Sequence, residues 1–261
     1  MINSDLQAEQ PGVISGYRVH FFEEVSSTND VARKIAESSD KEQILILARR
    51  QYNGRGRRGN RWISLHGGLW FSIILQSRDP PSDAVKLMFI MATAVVETVR
   101  QLGIKATLKW PNDVLVEGKK ICGIMSEGKV SQGIIERVTI GVGLNANNDP
   151  GSFPPHLLGS VTSLKHECGR SVDLWLFLEN LLSNFEDRRR SLQSGHWQRL
   201  LQEWKKYASF LGTWVSVACS EGSIVGKAWD VDNDGSLLIK LKDGTTRRIM
   251  EGSLRLCETE V

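Results

Sequence analysis

The sequence predicts an α+β chain, in which a mixed, mostly antiparallel sheet with flanking helices is followed by a small β-barrel. Three observations carry that expectation. Between residues 17 and 147, short apolar runs of strand length are interrupted by two stretches at helical spacing, over 29–38 and 83–102. Two further helical stretches, over 174–193 and 196–209, follow each other directly. From Leu211 onward the pattern changes to five short strands split by turns rich in Asp, Asn and Gly. At 261 residues there is room for one main domain and an appendage, taking about 150 residues per domain. The expected division is 1–209, with 1–15 a loose tail, and 210–261. On that division a chain cut before Leu211 stays soluble, because the preceding helices end near Ser209.

Each element has a local reason. Tyr17-Arg-Val-His-Phe-Phe reads as the first strand. Ser26, Ser27 and Thr28 offer N-cap hydroxyls for the helix over 29–38, whose buried face is Val31, Ala32, Ile35 and Ala36. Residues 44–48 form a continuous apolar strand that delivers Gln51, and 68–75 form another that holds Trp70 and Phe71. Ser82 caps the helix over 83–102, Gly103 closes it, and Met88, Phe89, Met91 and Val95 are core candidates. Strands over 106–110 and 114–116 flank a Pro-Asn turn, and Glu117-Gly118-Lys119 turns the chain into a third strand over 120–126. Such a hairpin brings Asp113 and Lys120 to the same end of the sheet. In the paired helices Trp175, Leu178, Leu182, Phe185, Trp197, Leu200, Leu201 and Trp204 recur at helical spacing. Turns at Asp232-Asn233-Asp234-Gly235 and Asp243-Gly244 join strands over 214–218, 224–230, 237–241, 246–249 and 254–257, as in a small SH3-like barrel.

Composition sets limits on function. A hydrophobic share of 41% and a charged share of 24% are ordinary globular values. The net charge of +3 does not argue for nucleic acid, and the positive charge is concentrated around residues 49–61. No apolar run reaches the roughly 18 residues of a membrane span, and residues 1–10 are polar rather than signal-like, which points to the cytoplasm. Four scattered cysteines never form C-x-x-C and five histidines do not cluster, so neither a disulfide framework nor a zinc site is expected. Cys122 reads as a packed small residue rather than a nucleophile.

The most informative run is Gln51-Tyr-Asn-Gly-Arg-Gly-Arg-Arg-Gly-Asn-Arg-Trp62. Glycine leaves successive N–H groups uncovered, so such a loop can wrap an anion, and arginine forks add bidentate contacts to phosphate or carboxylate. The same glycines make ordering costly, which suggests that the loop orders around a ligand. Neither the phosphate loop spacing nor the dinucleotide fingerprint accounts for it. A solvated basic loop or a nucleic-acid-binding Arg-Gly segment is the competing reading, though aromatics near the loop are confined to Tyr52 and Trp62. Further on, Asp113 and Lys120 form either a surface ion pair or a pair that binds magnesium and neutralises a phosphate.

Taken together, the loop at 54–59, Lys-Trp-Pro-Asn-Asp at 109–113, Lys-x-x-Gly-Ile at 120–124, Gly-Val-Gly-Leu-Asn at 141–145 and Ser-Ser-Thr-Asn at 26–29 resemble biotin–protein ligases in content and order. The C-terminal strands extend the likeness to nearly the whole chain. Asn60 departs from the arginine that many members carry, which removes one charge beside the loop. Lipoate–protein ligases share fold and chemistry but lack this form of the loop.

The resemblance implies a catalytic domain related to class II aminoacyl-tRNA synthetases, with an SH3-like barrel beside the active site. It implies that ATP and biotin form biotinyl-5′-adenylate with Mg2+, and that biotin then passes to a lysine of a biotin carboxyl carrier protein. The catalytic residues it implies are Lys120, Arg57 and Asp113, with Asp113 a magnesium ligand or a base. Biotin would meet Ser27, Thr28, Asn29, Gln51, Gly54, Arg55, Gly56, Arg57, Lys120 and Gly123. The nucleotide would meet Arg55, Arg57, Trp62, Asn112, Lys120 and Asn145, with Trp70 a further ring candidate. Some relatives carry an N-terminal winged helix, but the first strand begins at Tyr17, so no sequence-specific DNA binding is expected. A homodimer stays open.

Overall fold

The structure, a computed structural model, describes residues 12–38, 43–76, 83–131 and 134–257. Val13–Ile14 (β1) and Tyr17–Val25 (β2) form a hairpin whose turn residues Ser15 and Gly16 both have positive φ. This hairpin corrects the expected loose tail over 1–15; residues 1–11 of that expectation lie outside the described residues. Thr28–Ser38 (α1) connects β2 to Ile44–Gln51 (β3), and the two strands run parallel. Leu69–Gln76 (β4) leads to Asp83–Gln101 (α2), which ends at Gly103 in the left-handed conformation that favours glycine. The Ser82 cap lies outside the described residues.

Four antiparallel strands complete the sheet: Ala106–Lys109 (β5), Asp113–Val116 (β6), Lys119–Ser131 (β7) and Ile134–Leu144 (β8). Glu117 and Gly118, at φ 49° and 77°, make the two-residue turn between β6 and β7. The spatial order is β1-β2-β3-β4-β8-β7-β6-β5, with β2–β3 the one parallel pair. A short helix absent from the sequence expectation, Leu164–Cys168 (α3), precedes Leu174–Gln193 (α4) and Trp197–Tyr207 (α5). Asp173 caps α4 by accepting from the N–H groups of Trp175 and Leu176.

The sheet is covered on both faces, which explains the unbroken apolar run in β3. Ile44 and Ile46 pack with Ala32 of α1 and Ile74 on one face. Leu45 and Leu47 join α2 and α4 in the larger core on the other. Among the described residues no helix is long and apolar enough to cross a membrane.

Trp214–Cys219 (β9), Gly222–Val231 (β10), Leu237–Lys240 (β11), Thr246–Ile249 (β12) and Ser253–Leu256 (β13) form a second, antiparallel sheet in the order β12-β11-β10-β9-β13. Its inner residues, among them Val215, Val217, Leu237 and Ile239, belong to the same buried cluster as Phe89, Trp110 and Trp204. The turn between β10 and β11 accepts two indole N–H bonds, from Trp197 to the Asn233 carbonyl at 2.7 Å and from Trp110 to the Gly235 carbonyl at 2.9 Å. Phe89 stacks on Trp204 with centroids 4.5 Å apart. The C-terminal sheet therefore completes the core of the larger one, so the expectation that a chain cut before Leu211 stays soluble does not follow from this packing.

Candidate active site

One cleft gathers the loop after β3, the start of α1, the β5–β6 turn, the facing parts of β7 and β8, and Gly252-Ser253 from the C-terminal sheet. Its lining contains five cationic side chains, Arg55, Arg57, Arg58, Arg61 and Lys120, against a single carboxylate, Asp113. Such a concave surface attracts anions.

Lys120 reaches this cleft because of a β-bulge. Asp113 pairs with Gly123 and Val114 with Cys122, but Leu115 then pairs with Lys120, leaving Ile121 as an extra residue. Strict alternation would put Gly123 and Lys120 on opposite faces of the sheet. The bulge instead sends Ile121 and Cys122 both into the core, each fully buried, and returns Lys120 to the cleft face. Residues 160–162 strap this position: the Lys120 N–H donates to the Ser160 carbonyl and the Lys120 carbonyl accepts from Thr162. Lys120 Nζ lies 2.6 Å from one oxygen of Asp113 and 5.0 Å from the centre of the Trp62 ring. The other Asp113 oxygen is 3.2 Å from Lys109 Nζ.

Three glycines on β7 and β8 open room for the side chains above them. A Cβ at Gly143 would sit 2.5 Å from the Trp62 ring, one at Gly123 2.9 Å from it, and one at Gly141 2.1 Å from Asn29 Oδ1. Gly123 and Gly143 face each other across the β7–β8 pair, so the indole of Trp62 rests on a floor without side chains. The Trp62 N–H is buried with no hydrogen-bond partner. Trp70, by contrast, is fully buried, donates to the Leu65 carbonyl and supports Trp62 edge-on, so it does not line the cleft.

At the α1 end, Gln51 Oε1 accepts from the Thr28 N–H at 2.8 Å and from the Thr28 hydroxyl at 3.2 Å, while its amide donates to Ser64 Oγ at 2.8 Å. Ser72 Oγ lies 2.7 Å from Thr28 Oγ1 and 2.6 Å from Asn29 Oδ1. Polar groups of Ser27, Thr28, Asn29 and Gln51 thus form one wall of the cleft in fixed orientations.

The loop arginines differ in what they do. Arg55 is held by two carboxylates, Asp30 at 2.8 Å and Glu127 at 2.6 Å. Burial acts to lower its pKa, but those two partners outweigh it and raise it. Arg58, at φ 57°, donates to the Ala218 carbonyl of β9 at 3.0 Å and so ties the loop to the C-terminal sheet. Arg57 donates to Asn112 Oδ1 at 3.3 Å, and among the described residues no carboxylate lies within ion-pair distance of it. Burial lowers its pKa, with Glu251 and Asp113 pulling the other way. A desolvated, unpaired guanidinium beside Lys120 favours an incoming anion. Asn112 is itself fixed by donating to the Ile124 carbonyl at 2.8 Å.

Besides Trp70, two expected residues are not in the cleft lining. Gly54 lies at the base of the loop, where a Cβ would meet the Trp62 carbonyl at 2.6 Å. Asn145 is 1% exposed, its backbone is bonded to Ile121 and Leu164, and its side-chain Oδ1 is buried without a hydrogen-bond partner among the described residues, so its nucleotide contact stands as a proposal. The cleft also takes in Arg58, Asn60 and Arg61 of the loop, for which no contact was expected, and adds Met125, Gly252 and Ser253 from outside the motifs. Asn60 donates its amide to the Arg57 carbonyl, so it braces the loop where many family members place a charge. A magnesium ion does not fit Asp113 as a protein-built site, because both carboxylate oxygens already face ammonium groups. Among the described residues no group of three His, Cys, Asp or Glu could hold a metal ion.

Fold and cleft together define a mixed-sheet protein with a cationic, anion-binding cleft, and comparison with known proteins gives the class. Residues 21–145 match the model of the biotin/lipoate A/B protein ligase family, and residues 211–253 match the biotin protein ligase C terminal domain. The bifunctional ligase/repressor BirA of Bacillus subtilis is 33% identical over 88% of this chain and 72% of its own length. The biotin–[acetyl-CoA-carboxylase] ligase of Mycobacterium tuberculosis is 30% identical over 87% of this chain and 85% of its own. The biotin protein ligase of Aquifex aeolicus, solved in complex with biotin and ATP, superposes with a TM-score of 0.78 at 26% identity, covering 92% of this chain and 99% of that one. The chain belongs to the biotin protein ligase family.

Proposed function

We propose that this chain is an ATP-dependent biotin–protein ligase that forms biotinyl-5′-adenylate and transfers biotin to a lysine of a biotin carboxyl carrier protein. The observation that carries the reading is the convergence of Lys120 and the unpaired Arg57 in a cleft whose far wall is the ordered amide and hydroxyl array of Ser27, Thr28, Asn29 and Gln51. In the first step a biotin carboxylate oxygen forms a bond to the α-phosphorus of ATP and pyrophosphate leaves. Two anions must approach, so fixed cations lower the barrier most. Lys120 bridges carboxylate and α-phosphate, and Arg57 holds the adenylate phosphate. Asp113 holds Lys120 Nζ in place. Magnesium enters as part of the nucleotide substrate, and no step is assigned to a metal held by Asp113.

In the second step the acceptor lysine nitrogen bonds to the acyl carbon, AMP leaves and the ammonium proton is lost. Asp113, as the one carboxylate lining the cleft, is the candidate acceptor of that proton. Trp62 covers the middle of the cleft against water. The four free cysteines fit a reducing compartment such as the cytoplasm.

Incubation of the protein with ATP, biotin and a biotin carboxyl carrier domain, read by intact mass, tests the reading. Biotin on a single carrier lysine is the expected result. Modification with lipoate in place of biotin, and none with biotin, would contradict it.

Arg57→Ala removes the phosphate fork and its bond to Asn112. Escape of the adenylate should rise by about tenfold or more, and bystander proteins should become biotinylated on exposed lysines. Adenylate release measured by rapid filtration, with carrier omitted, checks this; an unchanged rate with lowered thermal stability would place Arg57 in the fold instead.

A further inference from the structure

Glu127 does not line the cleft, yet its carboxylate touches two of the cleft's walls at once. One oxygen accepts from Arg55 of the loop at 2.6 Å, and the other accepts from the Asn29 amide at 3.2 Å. Asp30, one residue along α1, takes the second arm of Arg55 at 2.8 Å. Arg33 on the next turn lies 3.3 Å from Asp30 and 3.8 Å from Glu127, completing two cations and two carboxylates. Because Glu127 takes the Asn29 Nδ2, the Asn29 Oδ1 is turned to Ser72 and over Gly141, which fixes the sense of that amide.

We propose that Glu127 is a positioning residue for biotin retention, coupling the glycine–arginine loop to the amide and hydroxyl wall at the start of α1. The proposal rests on the biotin-ligase reading of the cleft. Arg55, expected from its motif to meet phosphate, spends its guanidinium on this clamp and contributes to the cleft through its place in the loop. Loop closure and orientation of Asn29 then occur together, because one carboxylate serves both. The clamp bears on how long biotin and its adenylate stay bound and leaves the reacting cations untouched.

The test uses the full chain and compares wild type with Glu127→Ala, Glu127→Gln, Arg55→Ala and the double variant Glu127→Ala/Arg55→Ala. The readouts are KM for biotin, kcat at saturating biotin, and release of bound adenylate with carrier omitted. Glu127→Ala should raise KM and release by about tenfold, as suits two charge-assisted bonds on a part-exposed carboxylate, and should change kcat by less than about threefold. Glu127→Gln keeps the size and one acceptor, so it should fall between wild type and alanine. The double variant should be no worse than the worse single variant, because both remove the same link. Unchanged KM and release in Glu127→Ala would overturn the proposal, and so would additive effects or a loss confined to kcat. A wild type that forms no adenylate would overturn the underlying reading, and the inference with it.

Discussion

Lys120→Ala should lower biotin-dependent pyrophosphate release by a factor of about 10² to 10³ or more, while the protein stays folded. The two halves of that expectation come from the same geometry. Lys120 Nζ stands in the cleft where the biotin carboxylate and the α-phosphate would meet, so its charge counts most as negative charge builds in the transition state. Its side chain is about a third exposed, so its pair with Asp113 adds little to stability. Asp113 is not orphaned by the change, because Lys109 remains 3.2 Å from its other oxygen. Pyrophosphate release and a thermal melt on the same preparation separate the effects. Near wild-type release would remove Lys120 from the chemistry, and a collapsed melt would make it a structural residue.

Deleting residues from Leu211 onward should yield protein that is insoluble or lacks fixed tertiary packing. Phe89, Trp110, Trp197 and Trp204 lie in the cluster that the C-terminal sheet completes. Each large side chain exposed costs about 1.5–3 kcal/mol, so the loss approaches a typical total stability of about 5–15 kcal/mol. The Trp110 and Trp197 indole N–H groups also lose the carbonyls of Gly235 and Asn233. Trp110 precedes Pro111, Asn112 and Asp113, so disturbance there is carried directly into the cleft. Soluble fraction and near-ultraviolet circular dichroism read the outcome. A soluble, sharply melting fragment would show that the larger sheet stands alone, and an active one would remove Gly252 and Ser253 from the site.

The amino-acid pattern carried most of the architecture because its signals are local. Both long helices after residue 170 and all the C-terminal strands follow from spacing and turn chemistry, as with Asp232 to Gly235 between β10 and β11. The convergence of Asp113 and Lys120 was legible from the turn at Glu117 and Gly118. The bulge at Ile121 was hidden, although two consecutive core residues, Ile121 and Cys122, inside a strand are its trace in the sequence. The reach of Arg55 to Glu127 spans 72 residues and joins the loop after β3 to β7, which lies beyond β4 and β8 in the sheet, so no local window contains it. The surroundings of Asn145 were hidden too: its carbonyl accepts from Leu164 of α3, and its buried Oδ1 has no hydrogen-bond partner among the described residues. The short β1 strand offers only two residues, Val13 and Ile14, too few for any periodicity to show.

The most direct test of the account is a single-turnover reaction of the purified chain with biotin and ATP labelled on the α-phosphate, with no carrier present. Predicted is a burst of pyrophosphate that requires biotin and matches the active protein one to one, with the label retained on the protein as biotinyl adenylate. Label that leaves as ADP, or pyrophosphate released equally without biotin, would contradict the assignment of Lys120 and Arg57 to biotin activation.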